Sequence, residues 1–142
     1  EAQKSVVFEK LHAALGDLHG RRVAIWGVAF KPETDDIREA PATEVITRLV
    51  GAGAEVRICD PVAVTEFLRR RSDLEVLPAR TMYEAAMGAD AVALLTEWKE
   101  FRMPDWGRLR EMMRGDVVVD GRNIYDREEV RAAGFRYFGI GK

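Results

Sequence analysis

The sequence predicts an α/β domain of three layers, a doubly wound, mainly parallel sheet of about six strands with helices on both faces. Three observations carry this. Short apolar runs alternate with stretches of helical period along all 142 residues. The run Val23 to Val28, with Gly27 near its end, is nearly continuous in apolar residues, as a strand buried on both faces is. Directly after it come Lys31, Arg38, four acids (Glu33, Asp35, Asp36, Glu39) and two prolines. A charged loop at the carboxyl end of a buried parallel strand is where open α/β sheets bind ligands.

Each element follows from its own residues. Residues 2 to 15 place Lys4, Val7, Phe8, Leu11, Ala14 and Leu15 at helical spacing, with Gly16 or Gly20 to end the helix. After the first strand and its loop, Pro41 suits the first turn of a helix, where its missing N–H costs nothing. Val45, Ile46, Leu49 and Val50 form that helix's apolar stripe, and Gly51 and Gly53 bracket its end. The spacing then predicts strands over Glu55 to Cys59, Leu74 to Leu77, Ala89 to Thr96, Asp116 to Asp120 and Phe135 to Phe138. Between them lie helices over Val64 to Arg71, Tyr83 to Met87, Trp106 to Met113 and Arg127 to Ala133. Right-handed crossovers in such a series favour a Rossmann-like order. No internal repeat, low-complexity segment or linker interrupts it.

Composition bounds the function. With 47% hydrophobic and 32% charged residues the chain is ordinary globular material. It carries no apolar run of membrane-span length and no signal-peptide pattern, so a cytoplasmic protein without membrane partners is expected. A net charge of −2 gives no reason to expect nucleic acid. The single cysteine, Cys59, excludes an intrachain disulfide and a multi-cysteine metal site, and packs as a small core residue. His12 and His19 stand outside any ligand-spaced cluster, so no metal is expected. The first residue, Glu1, replaces an initiator methionine, which suggests a piece of something longer.

The loop after the first strand does not read as a dinucleotide cradle. Where a Gly-x-Gly-x-x-Gly turn would stand, the chain has Gly27-Val28-Ala29-Phe30-Lys31-Pro32, with only the first glycine. Asp60 stands where a ribose-binding acid would, but such an acid also commonly caps the next helix. The loop offers side-chain charge instead. Lys31 is a flexible point cation, Arg38 a planar fork, and Arg122 follows the fifth strand, so it emerges on the same sheet edge as Lys31. Two readings stay open: the three cations converge on an anion, or they pair with Glu33, Asp35, Asp36 and Glu39 in a solvated loop. Trp98 could stack on a base but is placed with the core or a lid, and Trp26 is core. Glu97 has no paired carboxylate at a spacing that suggests acid–base work.

Three motifs in order carry a resemblance: Gly27 to Ala42, which reads GVAFKPETDDIREAPA; Ala89-Asp90-Ala91 leading to Thr96-Glu97-Trp98-Lys99-Glu100-Phe101; and Asp120-Gly121-Arg122-Asn123-Ile124-Tyr125-Asp126. The chain resembles the C-terminal domain of nucleotide-sugar dehydrogenases, most of all the UDP-glucose 6-dehydrogenases, and the resemblance covers only the last third of such an enzyme. It implies that Phe30, Lys31 and Arg122 contact a UDP-sugar and that Arg38 reaches an NAD bound mainly by a missing N-terminal domain. The acids of Thr34-Asp35-Asp36 then orient the cations. Some members carry Ser where Ala40 stands. Residues 1–20 would be the tail of a helix from a missing central domain, or else a helix that simply packs on this domain's own sheet, and 21–142 the UDP-sugar-binding domain.

The family's chemistry is an NAD-dependent, two-step oxidation of the sugar C6 alcohol to a carboxylate through a cysteine thiohemiacetal. The resemblance assigns the cysteine, lysine and asparagine of that chemistry to the central part of the chain, so no catalytic residue is expected here, and Cys59 lies in the wrong motif. It further implies partner domains in the same polypeptide and a homo-oligomer only in the full-length enzyme. Alternatives are a domain of a UDP-N-acetylmannosamine or GDP-mannose dehydrogenase, or a stand-alone nucleotide-binding or oligomerisation module.

Overall fold

The computed structural model describes residues 2–38 and 40–141, with side chains from residue 6 onward. Glu1, Glu39 and the side chain of Lys4, all named above, lie outside the described residues. Six strands, β1 (Arg22–Trp26), β2 (Glu55–Cys59), β3 (Leu77–Pro78), β4 (Ala91–Leu94), β5 (Val117–Asp120) and β6 (Arg136–Gly139), form one sheet in the order β3-β2-β1-β4-β5-β6. Every pairing is parallel. The order runs one way from β1 to β3 and the other way from β4 to β6, which makes the gap between the carboxyl ends of β1 and β4 the switch point. Helix α1 (Ala2–Leu15) precedes β1, and five helices connect the strands, α2 (Pro41–Gly51), α3 (Val64–Arg70), α4 (Met82–Ala86), α5 (Trp106–Met112) and α6 (Arg127–Ala132), with a 3-10 turn at Lys99–Phe101.

The central strands are almost wholly apolar because both their faces are covered, and a polar group there needs partners. All side chains of β4 are buried, as are Val117, Val118 and Val119 of β5 and Val23 to Trp26 of β1. Trp26 satisfies its one polar atom by donating its indole N–H to the Met82 carbonyl at 3.1 Å, and it stacks on Phe101. Helix α1 buries Val7, Phe8, Leu11 and Leu15 and packs on α2 and β5. Burying side chains of this size stabilises by roughly 1.5–3 kcal/mol each. Gly16, at φ +74°, ends the helix.

Three expectations need correction, the fourth strand being Ala91–Leu94 rather than Ala89 to Thr96. The first strand stops at Trp26 rather than Val28, because Gly27 turns the chain out at φ +96°. The third strand is Leu77–Pro78, not Leu74 to Leu77. Leu74 is still in a turn, its N–H donating to the Arg71 carbonyl, and only Leu77 and Pro78 meet Arg57 and Ile58 of β2. Proline has no N–H for a ladder, so a two-residue edge strand is what remains. Among the described residues no helix is long and apolar enough to cross a membrane, and no group of three or more His, Cys, Asp or Glu could hold a metal ion.

Candidate functional site

The carboxyl ends of β1, β2, β4 and β5 carry four loops, and residues 96–98 tie three of them to the fourth. Thr96 donates its hydroxyl to the Ala29 carbonyl at 2.7 Å, in the loop after β1. Glu97 accepts from the Arg122 fork, in the loop after β5, at 2.9 Å on Nε and 3.4 Å on Nη2. Trp98 donates its indole N–H to Asp60, in the loop after β2, at 3.0 Å. Thr96 and Trp98 are buried, so the strap is anchored on both sides of Glu97.

Asp60 is the second anchor. Its Oδ2 accepts the backbone N–H groups of Val28 (2.8 Å) and Ala29 (3.2 Å) as well as the Trp98 indole, and its Oδ1 accepts those of Val62 and Ala63. One carboxylate thus fixes the approach to Phe30 and Lys31 and also holds the turn that leads into α3. With five donors on it and little exposed surface, Asp60 is not available as a ribose acceptor. Together with the missing glycines, this means that the chain's own residues do not fit a bound dinucleotide.

Beyond Ala29 the loop opens to solvent. Phe30 is half exposed, Lys31 is exposed, and Phe30 N–H closes the loop onto the Asp36 carbonyl at 2.7 Å. Glu33 takes a positive φ of 69° in the turn after Lys31. Arg38 does pair with an acid of its own loop: Asp36 receives its Nε and Nη2, both at 3.0 Å, and its backbone N–H at 2.9 Å. Those side-chain and backbone hydrogen bonds hold the Asp36 carboxyl down to about 2, so it stays charged at any ordinary pH. Arg122 does not pair with the loop acids; its partner is Glu97. Among the described residues Lys31 makes no ion pair or side-chain hydrogen bond, and of the three cations only Arg38 pairs with a described acid of the loop.

The Asp120-Gly121-Arg122-Asn123 turn is built to display Arg122. Fully buried Asp120 accepts the Arg122 backbone N–H on Oδ1, and the Tyr125 N–H and Tyr137 hydroxyl on Oδ2. Gly121 lies so close to β4 that a Cβ there would stand 2.6 Å from the Leu94 carbonyl oxygen. Asn123 takes the left-handed conformation at φ 57° and clasps the chain end, exchanging two hydrogen bonds with the backbone of Ile140. Phe30, Lys31 and Arg122 therefore share one edge, with β4 between their strands and the β1 and β5 ends about 10 Å apart by strand spacing. Cys59 sits under this edge, its thiol pushed up to about 12 by burial and by the nearby charge of Asp60, with Glu100 and Glu84 adding to it.

A family model described as the UDP binding domain of the UDP-glucose/GDP-mannose dehydrogenase family matches residues 24–127. The chain belongs to that family. Its relatives agree: the UDP-glucose 6-dehydrogenase of Pseudomonas aeruginosa is 43% identical over 99% of this chain and 32% of its own length. That of Rhizobium meliloti is 45% identical over 92% of the chain and 29% of its own. A solved UDP-glucose dehydrogenase from Pyrobaculum islandicum superimposes with a TM-score of 0.81 at 32% identity, over 98% of this chain and 29% of that one. The chain thus spans about a third of the length of the curated relatives it matches, and corresponds to the UDP-binding C-terminal domain. Glu97 and Asp60 organise the edge through partners 25 and about 30 residues away, which local spacing patterns do not reach.

Proposed function

We propose that the carboxyl edge of this domain holds a UDP-sugar through Phe30, Lys31 and Arg122, as part of an NAD-dependent UDP-glucose 6-dehydrogenase that oxidises UDP-glucose to UDP-glucuronate. The observation that carries the reading is the pair of cations on loops flanking the switch point: Lys31 with no ion pair among the described residues, and Arg122 held out from the β5 end with its side chain 44% exposed. A diphosphate supplies the charge they complement, and the exposed Phe30 ring offers an apolar surface beside it. Phosphate contacts by arginine are made through its planar fork, of which Glu97 uses one side only.

The cysteine, lysine and asparagine of the oxidation would come from other parts of a longer polypeptide, and so would the dinucleotide cradle. NAD would accept the hydride there. This chain's contribution toward it is Arg38, 71% exposed and aimed by Asp36. In a full-length, homo-oligomeric, cytoplasmic enzyme, Arg38→Ala should raise the NAD requirement and leave UDP affinity alone. A panel of UDP- and GDP-sugars on that enzyme separates UDP-glucose from UDP-N-acetylmannosamine and GDP-mannose as the substrate.

The test on the chain itself is calorimetric. UDP should bind more tightly than uridine, and Lys31→Ala or Arg122→Ala should each weaken UDP about tenfold, since a charge-assisted hydrogen bond contributes roughly 1.5–3 kcal/mol. Equal affinity for UDP and uridine would sink the reading.

A further inference from the structure

We propose that Glu97 is a specificity-determining residue of this edge, positioning the Arg122 fork while cancelling part of its charge, so that the site selects a nucleoside diphosphate over a bare anion. The inference rests on the UDP reading above. Glu97 takes the Nε and Nη2 side of the guanidinium and, among the described residues, leaves Nη1 and the second Nη2 proton unbound. The arginine is the more exposed partner, 44% against 22% for the glutamate, so the open side of the fork is the side that meets solvent.

Both partners are held from below. The Arg122 backbone N–H is bound to buried Asp120, and Gly121 keeps that turn pressed on β4. Glu97 stands between Thr96 and Trp98, each buried and hydrogen-bonded to a different loop. A mobile surface arginine would have to be ordered by its ligand; this one is ordered beforehand, which lowers the cost of binding a ligand that needs its fork in one orientation.

Charge acts in the opposite direction. Lys31 and Arg122 together offer two positive charges, and Glu97 removes one. A bare anion gains only from charge, so Glu97 disfavours it. A UDP moiety gains also from the aimed fork and from the ring surface of Phe30, so it loses less. Selectivity is the difference of the two affinities, and Glu97 contributes to it through both terms.

Glu97→Gln keeps the shape and removes the charge and one acceptor. Titrating UDP and inorganic pyrophosphate into wild type and variant should show pyrophosphate bound more tightly and UDP more weakly by the variant, with the ratio of their affinities falling about tenfold. In an Arg122→Ala background the same substitution should leave the ratio unchanged. A ratio within twofold of wild type, or a fall that persists without Arg122, overturns the proposal while UDP binding by wild type stands. Failure of wild type to bind UDP at all overturns the UDP reading and this proposal together. Should the Gln variant not fold, the wild type decides alone: the Arg122 Nε–H resonance should stay protected from exchange when UDP is added, and its loss on addition would mean that the ligand displaces Glu97, which is the opposite of positioning.

Discussion

The indole N–H of Trp98 lies 3.0 Å from Asp60 Oδ2, joining residues 38 apart in the chain across the carboxyl ends of β2 and β4. Because the same oxygen accepts the N–H groups of Val28 and Ala29, the contact couples the strap after β4 to the stem of the loop bearing Lys31. Trp98→Phe removes one donor of five, and the carboxylate remains well satisfied. The expected cost is about 2 kcal/mol, part lost hydrogen bond and part lost volume. Asp60→Ala strands all five donors at once and should cost about 3 kcal/mol or more. Urea unfolding measures both; a smaller loss for Asp60→Ala than for Trp98→Phe would show that the carboxylate does not organise the edge.

Two glycines at this edge should respond differently to a single methyl. At Gly27 an alanine meets Thr96 Cβ at 2.5 Å and must also hold φ +96°. At Gly121 it meets the Leu94 oxygen at 2.6 Å, with Leu95 Cδ2 at 3.1 Å and Val7 Cγ2 at 3.3 Å beside it, without a positive φ to hold. Gly27→Ala should therefore cost more than Gly121→Ala, with about 1–3 kcal/mol expected for the latter from overpacking alone. Thermal unfolding of the two variants orders them. Equal losses would mean that the Thr96 contact and the backbone strain relax freely.

These contacts also explain what could be read from residues and what could not. The strands of the central sheet were legible because burial on both faces leaves them almost purely apolar, and a parallel sheet puts every strand's following loop on one edge. That is enough to set Lys31 and Arg122 on one edge without knowing a single distance. β3 was misplaced because the apolar alternation of Leu74 to Leu77 marks a turn and one inward residue, Val76, while the paired residues Leu77 and Pro78 are exposed. The Thr96-Glu97-Trp98 motif gave its order but not its reason. Helical and strand spacing rules see partners up to a few residues away, whereas each of these three side chains is bound to a different distant loop. The alternatives for Asp60 were a helix cap or a ribose acid; it binds the Val62 and Ala63 N–H groups of the turn before α3, whose N-cap is Ala63, along with three further donors that no local pattern announces.

Cys59 should be chemically silent. Its thiol is pushed up from 9.0 to about 12, so at pH 8 it carries about a thousandfold less thiolate than a free cysteine, before limited access is counted. Iodoacetamide should label it at that slow rate in the folded chain and normally in urea. The chain alone should show no NAD reduction with UDP-glucose, and Cys59→Ala should fold at a cost on the order of 1 kcal/mol. Turnover that vanishes in Cys59→Ala would overturn the family chemistry assigned to the rest of the polypeptide.

Tyr137 should set part of the alkaline limit of stability. Its hydroxyl donates to Asp120 Oδ2 at 2.8 Å, and burial together with that carboxylate pushes the phenol well above its ordinary value of 10.0. Tyr125 is raised in the same direction by burial, with Asp120 adding to it. A phenol whose folded value is raised keeps its proton when the unfolded chain has lost it. Its contribution is therefore whole below pH 10 and is lost progressively as the pH climbs beyond that value. Cys59 adds a similar loss from about pH 9 upward. Tyr137→Phe takes away one hydrogen bond to a buried carboxylate, which should cost about 1–2 kcal/mol at pH 8. It also takes away one titrating group, so above pH 10 the variant's stability should fall less steeply than that of wild type, and the two curves should converge. Urea unfolding between pH 8 and 11 reads the slopes directly. Parallel curves over that range would mean that Tyr137 ionises as easily in the folded protein as in the unfolded chain, and that its bond to Asp120 does not hold the proton.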